Sequence, residues 1–221
     1  MHGTNPIRPP EKGDGSTLQV QHIFATIQGE GPYAGVPAVF VRLGGCNLAC
    51  AFCDTEFESF KTISLEAIMT SVKQLAKSND SPITLIVITG GEPLRQPISP
   101  LCEALIAAGF KVQIETNGTL WRELPEAVEI VCSPKNSGSG YFPIRPDLLA
   151  RVNAFKFIVS ATEPGYGGVA DVGQGDRPVY VQPMDAYDEA ANAANHRLAA
   201  ELALRHNYRL SLQLHKILGM E

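Results

Sequence analysis

The sequence predicts an α/β fold, an incomplete TIM-like barrel built on a mainly parallel sheet with few helices. Three observations lead there. Ile83 to Thr89 is a nearly unbroken β-branched run, the pattern of a strand buried on both faces in a parallel sheet. Strand patterns alternate with helical ones, as in βα units. Only three strong helical patterns occur, over residues 64–77, 97–109 and 187–206, too few for a closed eight-unit barrel.

The elements follow in order. Leu18 to Ile27 reads as a strand with Val20, His22, Phe24 and Thr26 on one face. Gln28-Gly29-Glu30-Gly31-Pro32 breaks it, either as a plain turn or as a substrate-contacting loop where glycine lets the backbone come near. Pro37 to Leu43 is a second strand. Its Arg42 lies in an apolar run, where a charge is costly unless paired. It is either a structural arginine matched to a core carboxylate or a guanidinium fork for a carboxylate ligand. Ser64 is a candidate N-cap, and Leu65, Ile68, Met69, Val72, Leu75 and Ala76 form an amphipathic stripe. The β-branched run ends at Gly90-Gly91-Glu92-Pro93. The next helix carries Leu101, Ala104, Leu105 and Ala108 on one face, with Cys102 as a small buried hydrophobe.

Lys111 to Glu115, Val128 to Cys132, Phe155 to Val159 and Val179 to Gln182 read as further strands. Each is followed by polar residues, where parallel α/β folds place their functional loops. Lys156 lies inside one of them. Pro164 to Asp176, with five glycines, is a long loop and a candidate lid. Tyr187 to His206 is an alanine-rich helix with Ala194, Leu198 and Leu202 as its stripe, and Tyr208 to Leu214 alternates as a last strand. Residues 17–221 are expected as one domain. Residues 1–16, polar and rich in Pro and Gly, are expected as a disordered N-terminal tail.

Between the second strand and the first helix lies Cys46-Asn-Leu-Ala-Cys50-Ala-Phe-Cys53-Asp54. Thiolates are soft ligands, suited to zinc or iron–sulfur rather than magnesium or calcium. Structural zinc sites and ordinary iron–sulfur clusters use four protein ligands. No fourth cysteine or histidine lies nearby in the sequence. A cluster held by three cysteines leaves one iron open to a substrate or cofactor, so the spacing points to a catalytic centre.

Composition narrows the classes. With 44% hydrophobic residues in 221, the chain supports one sizeable core. A net charge of −5 argues against a nucleic-acid surface, which shows a basic footprint. No apolar run is long enough for a transmembrane helix, and no membrane partner is expected. Five cysteines, three of them clustered, do not form a disulfide framework, and a reducing cytoplasmic location is expected.

Cys46-x-x-x-Cys50-x-Phe52-Cys53, with Gly90-Gly91-Glu92-Pro93 after a β-branched strand, resembles the radical S-adenosylmethionine superfamily. Thr26 to Pro32, Phe40 to Cys46, Cys53-Asp-Thr55, Glu115 to Gly118, Ser133-Pro-Lys135, Val181 to Asp185 and Leu212 to Gly219 are similar to the 7-carboxy-7-deazaguanine synthase family. The resemblance covers nearly all the chain from about residue 18. It implies a radical lyase that converts 6-carboxy-5,6,7,8-tetrahydropterin to 7-carboxy-7-deazaguanine with loss of ammonia, for 7-deazapurine and queuosine synthesis.

The same resemblance implies residue roles. Cys46, Cys50 and Cys53 ligate a 4Fe–4S cluster whose free iron is chelated by S-adenosylmethionine, the source of a 5′-deoxyadenosyl radical. Phe52, Asp54, Gly91, Ser133, Pro134, Lys135, Gln182, Pro183, Met184 and Asp185 line the S-adenosylmethionine site. Ile27, Gln28, Gly29, Arg42 and Thr89 contact the pterin, with Arg42 on its carboxylate. Thr55 offers its hydroxyl to Mg2+, a hard cation that prefers oxygen. The Glu221 carboxylate stands where family members often present that of a terminal proline. A homodimer and an external electron donor such as flavodoxin or ferredoxin are also implied. Two other readings compete: a glycyl-radical-enzyme activase, and a non-enzymatic iron–sulfur carrier or zinc module.

Overall fold

The computed structural model describes residues 5–77 and 80–220. The first four residues of the expected tail, part of the loop after the first helix, and Glu221 lie outside the described residues.

The chain runs β1 (Thr17–Ile27), β2 (Pro37–Leu43), β3 (Lys61–Ser64), α1 (Leu65–Ala76), β4 (Leu85–Gly90), α2 (Ser99–Ala107), β5 (Lys111–Thr116) and β6 (Glu129–Cys132). It continues with α3 (Pro146–Leu149), β7 (Ala154–Val159), β8 (Val179–Pro183), α4 (Glu189–His206), β9 (Arg209–Leu210) and α5 (Leu214–Ile217). Among the described residues the strands form one open nine-stranded sheet in the order β3-β1-β2-β4-β5-β6-β7-β8-β9. From β2 to β9 the neighbours are parallel, while β1 is antiparallel to both β2 and β3. This is the expected partial barrel, left open with few helices.

Period-two alternation divides each strand between two environments. Val39, Val41, Ile86, Ile88, Ile114 and Phe155 face outward into the main core, which α1 and α2 cover with Ile68, Val72, Leu101 and Leu105. Fully burying one such side chain is worth about 2 kcal/mol. On the inner face, Ala38, Leu85 and Val87 form a small separate cluster. The β4 run is therefore apolar on both faces, as the sequence predicts. Nearer the strands' C-terminal ends the inner face turns polar, with Arg42, Thr89, Glu115 and Lys156.

Several local expectations are corrected. A bulge between Val20 and His22 resets the alternation of β1, so Val20 joins the outer core while Phe24 and Thr26 turn to the inner face. The last strand is only two residues long. Ser211 turns inward to accept from Gly31 N at 2.9 Å and donate to Gln182 at 3.2 Å, and Leu214 N donates to Gly29 O at 3.2 Å, which starts α5 instead. On α4 the buried stripe is Asn195, Ala199 and Leu202. Asn195 sets this rotation, because its amide is spent on Ala161 N, Ser160 and Met184 O.

The candidate lid is anchored instead. Tyr166 is buried, its ring meets Phe52 edge-on at 4.9 Å, and its hydroxyl bonds the Asn136 backbone. The expected tail is also tied down from Asn5 onward. Ile7 forms a parallel bridge with Cys46, and Glu11 pairs at 2.8 Å with the fully buried Arg95. Arg95 donates in turn to Pro9 O and Gly44 O, so burial of one guanidinium needs the tail as a partner.

Candidate active site

A cavity of about 230 Å³ opens at the C-terminal ends of the strands, between the cysteine loop, the inner face of the sheet and α5. Close backbone approach positions the loop. Glu92 N donates to Gly45 O at 3.0 Å, and a Cβ on Gly91 would lie 2.0 Å from that oxygen. Only glycine lets the β4 turn dock on the residues leading into the cysteines. Glu92 itself lies beneath the cavity, where its carboxylate accepts from Leu94 N, Thr116 Oγ1 and Asn117 N at 2.7–2.9 Å. Burial pushes its pKa up against those donors.

Cys46, Cys50 and Cys53 are free thiols lining one wall. Burial pushes all three up, Cys46 to about 12, so thiolates there need a bound cation to offset the charge. Among the described residues no trio of His, Cys, Asp or Glu surrounds a single-ion position. A cubane cluster presents its irons at separate corners, and three spaced thiols on a cavity wall fit that group. Lys135, which also lines the cavity, donates to Ser133 O and Oγ at 2.7 Å, and burial lowers its pKa.

The opposite wall is a network of charges. Lys156, 4% exposed, reaches Glu115 at 2.6 Å and also contacts Glu30. Gln28 donates to Glu115 at 2.9 Å and accepts from Glu30 N at 3.1 Å. Burial alone would raise the Glu30 carboxyl, but the Lys156 ammonium outweighs it and holds the pKa below the usual range. Lys156 moves up, because its two carboxylates outweigh burial. From α5, Lys216 bridges Asp54 at 2.7 Å and Asp185 at 2.9 Å, and Gln213 bridges Glu30 and Asp54. Burial opposes ionisation of Asp54 as well, and Lys216 overcomes it. Arg42 enters from β2 beside Thr89 and stacks on Phe24, with its guanidinium 4.8 Å from the ring centroid.

The structure brings most of the expected residues to this one cavity. Phe52, Asp54, Thr55 and Gly91 line it with the cysteines, as do Ser133, Lys135, Gln182, Pro183, Met184 and Asp185. Ile27, Gln28, Arg42 and Thr89 line it from the sheet. Pro134 and Gly29 are not lining residues. Gly29 acts through α5, since a Cβ there would lie 2.2 Å from His215 Nδ1. Glu221 lies outside the described residues.

Sequence reasoning assigned no site role to Lys156, Glu115, Gln213, His215, Asn117 or Asn5, all of which line the cavity, and it reached Glu30 only within the loop read as either a plain turn or a substrate contact. Lys156 carried the same signal as Arg42, a charge in an apolar strand. His215 and Asn5 gave none, because only the fold carries their segments to the cavity.

Residues 40–133 match the Radical SAM superfamily. A 7-carboxy-7-deazaguanine synthase of Rickettsia prowazekii (strain Madrid E) is 55% identical, over 100% of this chain and 96% of its own. One from Rhodospirillum rubrum is 44% identical over 99% of both chains. The crystal structure of QueE from Escherichia coli superimposes with a TM-score of 0.71 at 28% identity, covering 89% of this chain and 94% of that one. With its three-cysteine wall and near-complete coverage of these relatives, the chain belongs to the 7-carboxy-7-deazaguanine synthase family of the radical S-adenosylmethionine superfamily.

Proposed function

We propose that this cavity converts 6-carboxy-5,6,7,8-tetrahydropterin to 7-carboxy-7-deazaguanine. The observation that carries the reading is the meeting of the three thiols and Arg42 across one cavity. Cys46, Cys50 and Cys53 would hold the 4Fe–4S cluster. Phe52, Asp54, Gly91, Ser133 to Lys135 and Gln182 to Asp185 would hold S-adenosylmethionine. When bound, the cluster and S-adenosylmethionine supply a one-electron cleavage that delivers a carbon radical.

The chain's own part is binding, orientation and exclusion of water. Arg42 presents a planar fork for the pterin carboxylate, held by its stacking on Phe24. Ile27, Gln28 and Thr89 fix the ring system, and Gly29 lets α5 close over it. The Lys156, Glu30 and Glu115 network offers paired donors and acceptors to the amino and carbonyl groups of the pterin. The Thr55 hydroxyl lies at the cavity beside the Asp54 carboxylate, with 3.3 Å between their oxygens. This oxygen pair suits Mg2+ that completes its shell with water and substrate. An activase would need a groove for a protein loop, whereas a cavity of about 230 Å³, lined in part by His215 of α5, suits a small molecule.

A one-electron donor of the flavodoxin or ferredoxin class, a homodimeric state and a cytoplasmic location complete the proposal, with neither nucleic acid nor membrane as a direct partner. No helix among the described residues is long and apolar enough to cross a membrane. The test is anaerobic incubation of the reconstituted protein with the carboxytetrahydropterin, S-adenosylmethionine, Mg2+ and a reductant. Formation of the deazaguanine is expected. Cleavage of S-adenosylmethionine without the deazaguanine would overturn the substrate assignment.

A further inference from the structure

We propose that the N-terminal segment from Asn5 to Glu11 is a strap that positions the cluster loop, and that the Asn5 side-chain amide donates to the Cys53 sulfur and tunes the cluster held there. This rests on the reading of Cys46, Cys50 and Cys53 as ligands of a 4Fe–4S cluster.

The strap grips the loop at both ends. At the first cysteine, Ile7 bridges Cys46 and Arg8 N donates to Cys46 O at 2.7 Å. At the third, the buried Asn5 amide lies 3.9 Å from Cys53 Sγ and donates to Thr55 O at 3.1 Å. Beyond the loop, the Arg8 guanidinium makes two bonds to Glu58 Oε2, at 2.6 and 2.8 Å, and sits 5.1 Å from the Phe60 ring centroid. Glu11 fastens the far end to Arg95, which donates to Gly44 O just before Cys46.

Cluster binding changes what Asn5 must do. As a thiol, Cys53 donates to Thr55 O at 3.6 Å. As a ligating thiolate it has no proton, and the sulfur and carbonyl oxygen then face each other as two acceptors. Asn5 is placed to donate to both, which relieves that contact. The sulfurs also have different neighbours. Leu48 N donates to Cys46 Sγ at 3.4 Å, with the Asn117 amide 4.0 Å from the same sulfur, and Asn5 serves Cys53. Donors to cluster sulfurs favour the reduced state, which carries the extra negative charge. Asn5 is thus a positioning residue that eases electron entry.

The test uses the anaerobically reconstituted holoprotein, poised with redox mediators, with the reduced-cluster EPR signal divided by iron content. At a poise where the wild type is partly reduced, Asn5→Ala should lower the signal per iron by about threefold, the size of one net hydrogen bond. Asn5→Asp, nearly isosteric, should lower it further. Normalising to iron reads the effect even if a variant loads less. Unchanged signal per iron in both variants would overturn the tuning role. Arg8→Ala should speed removal of iron by a chelator, and an unchanged rate would overturn the strap. A wild type that takes up no iron would instead sink the reading of the cysteines, an outcome distinct from either.

Discussion

Replacing Lys156 with Met tests the charge network more sharply than any other single change. The Lys156 side chain is 5% exposed, and its partners Glu30 and Glu115 are 14% and 15% exposed. Removing the ammonium leaves two carboxylates on one wall with no cation between them. Breaking a buried pair costs about 3–5 kcal/mol. Both carboxylates border the cavity and can recover some water, so the lower end applies, about 3 kcal/mol. For a chain of this size that is a fall of about 6–12 °C in Tm.

The assay is thermal unfolding of the metal-free chain at several pH values. In the variant, burial acts on Glu30 without Lys156, so its folded pKa rises above the unfolded value. A raised carboxyl favours the folded state only below the unfolded pKa, and that benefit is lost as pH rises. The deficit should therefore be largest near neutrality and shrink toward pH 4. Adding Glu30→Gln should restore part of the loss. A Lys156→Met protein within about 1 kcal/mol of wild type at pH 7 would refute the coupling.

In the wild type the same pair sets a pH window. Glu30 is depressed below its usual 4.5, so its contribution is present above that value and lost as pH falls below it. Lys156 is raised above its usual 10.5, so its contribution is full below that value and lost as pH rises past it. Urea midpoints should be flat with respect to this pair between those limits and fall outside them. Arg42→Ala should raise KM for the carboxytetrahydropterin at least tenfold, about 1.4 kcal/mol or more, without changing iron content; an unchanged KM would make Arg42 structural. Thr55→Ala should weaken the dependence of turnover on Mg2+ while S-adenosylmethionine cleavage without substrate persists, and an unaltered Mg2+ titration would rule the hydroxyl out. Gly29→Ala should push His215 and α5 outward at about 1–3 kcal/mol and raise KM, whereas wild-type kinetics would show that α5 does not close the cavity.

The chain by itself determined the parallel sheet, because alternation and β-branched runs are local patterns that burial must satisfy. It determined the cysteine loop too, since ligand type and spacing are covalent facts of eight adjacent residues. Arg42 stood out because an isolated charge in an apolar strand demands a partner. What lay beyond a single window was harder to read. The bulge in β1 changes which side chains face the cavity, and period-two reasoning carries no information about a skipped register. Asn195 rotates α4 through hydrogen bonds to three distant backbone and side-chain groups, which no helical periodicity encodes.

The tertiary structure alone decided which residues share the cavity. Lys156 meets Glu30 across 126 positions of chain, Lys216 meets Asp54 across 162, and Asn5 meets Cys53 across 48. Such pairings exist only once the sheet has curled and the segments carrying Asn5 and Lys216 have packed on it. The cysteines could be read as ligands from their order. The donors that hold their loop and the charges that face it could not, because proximity in the fold is set by the sum of all the packing rather than by any neighbour in sequence.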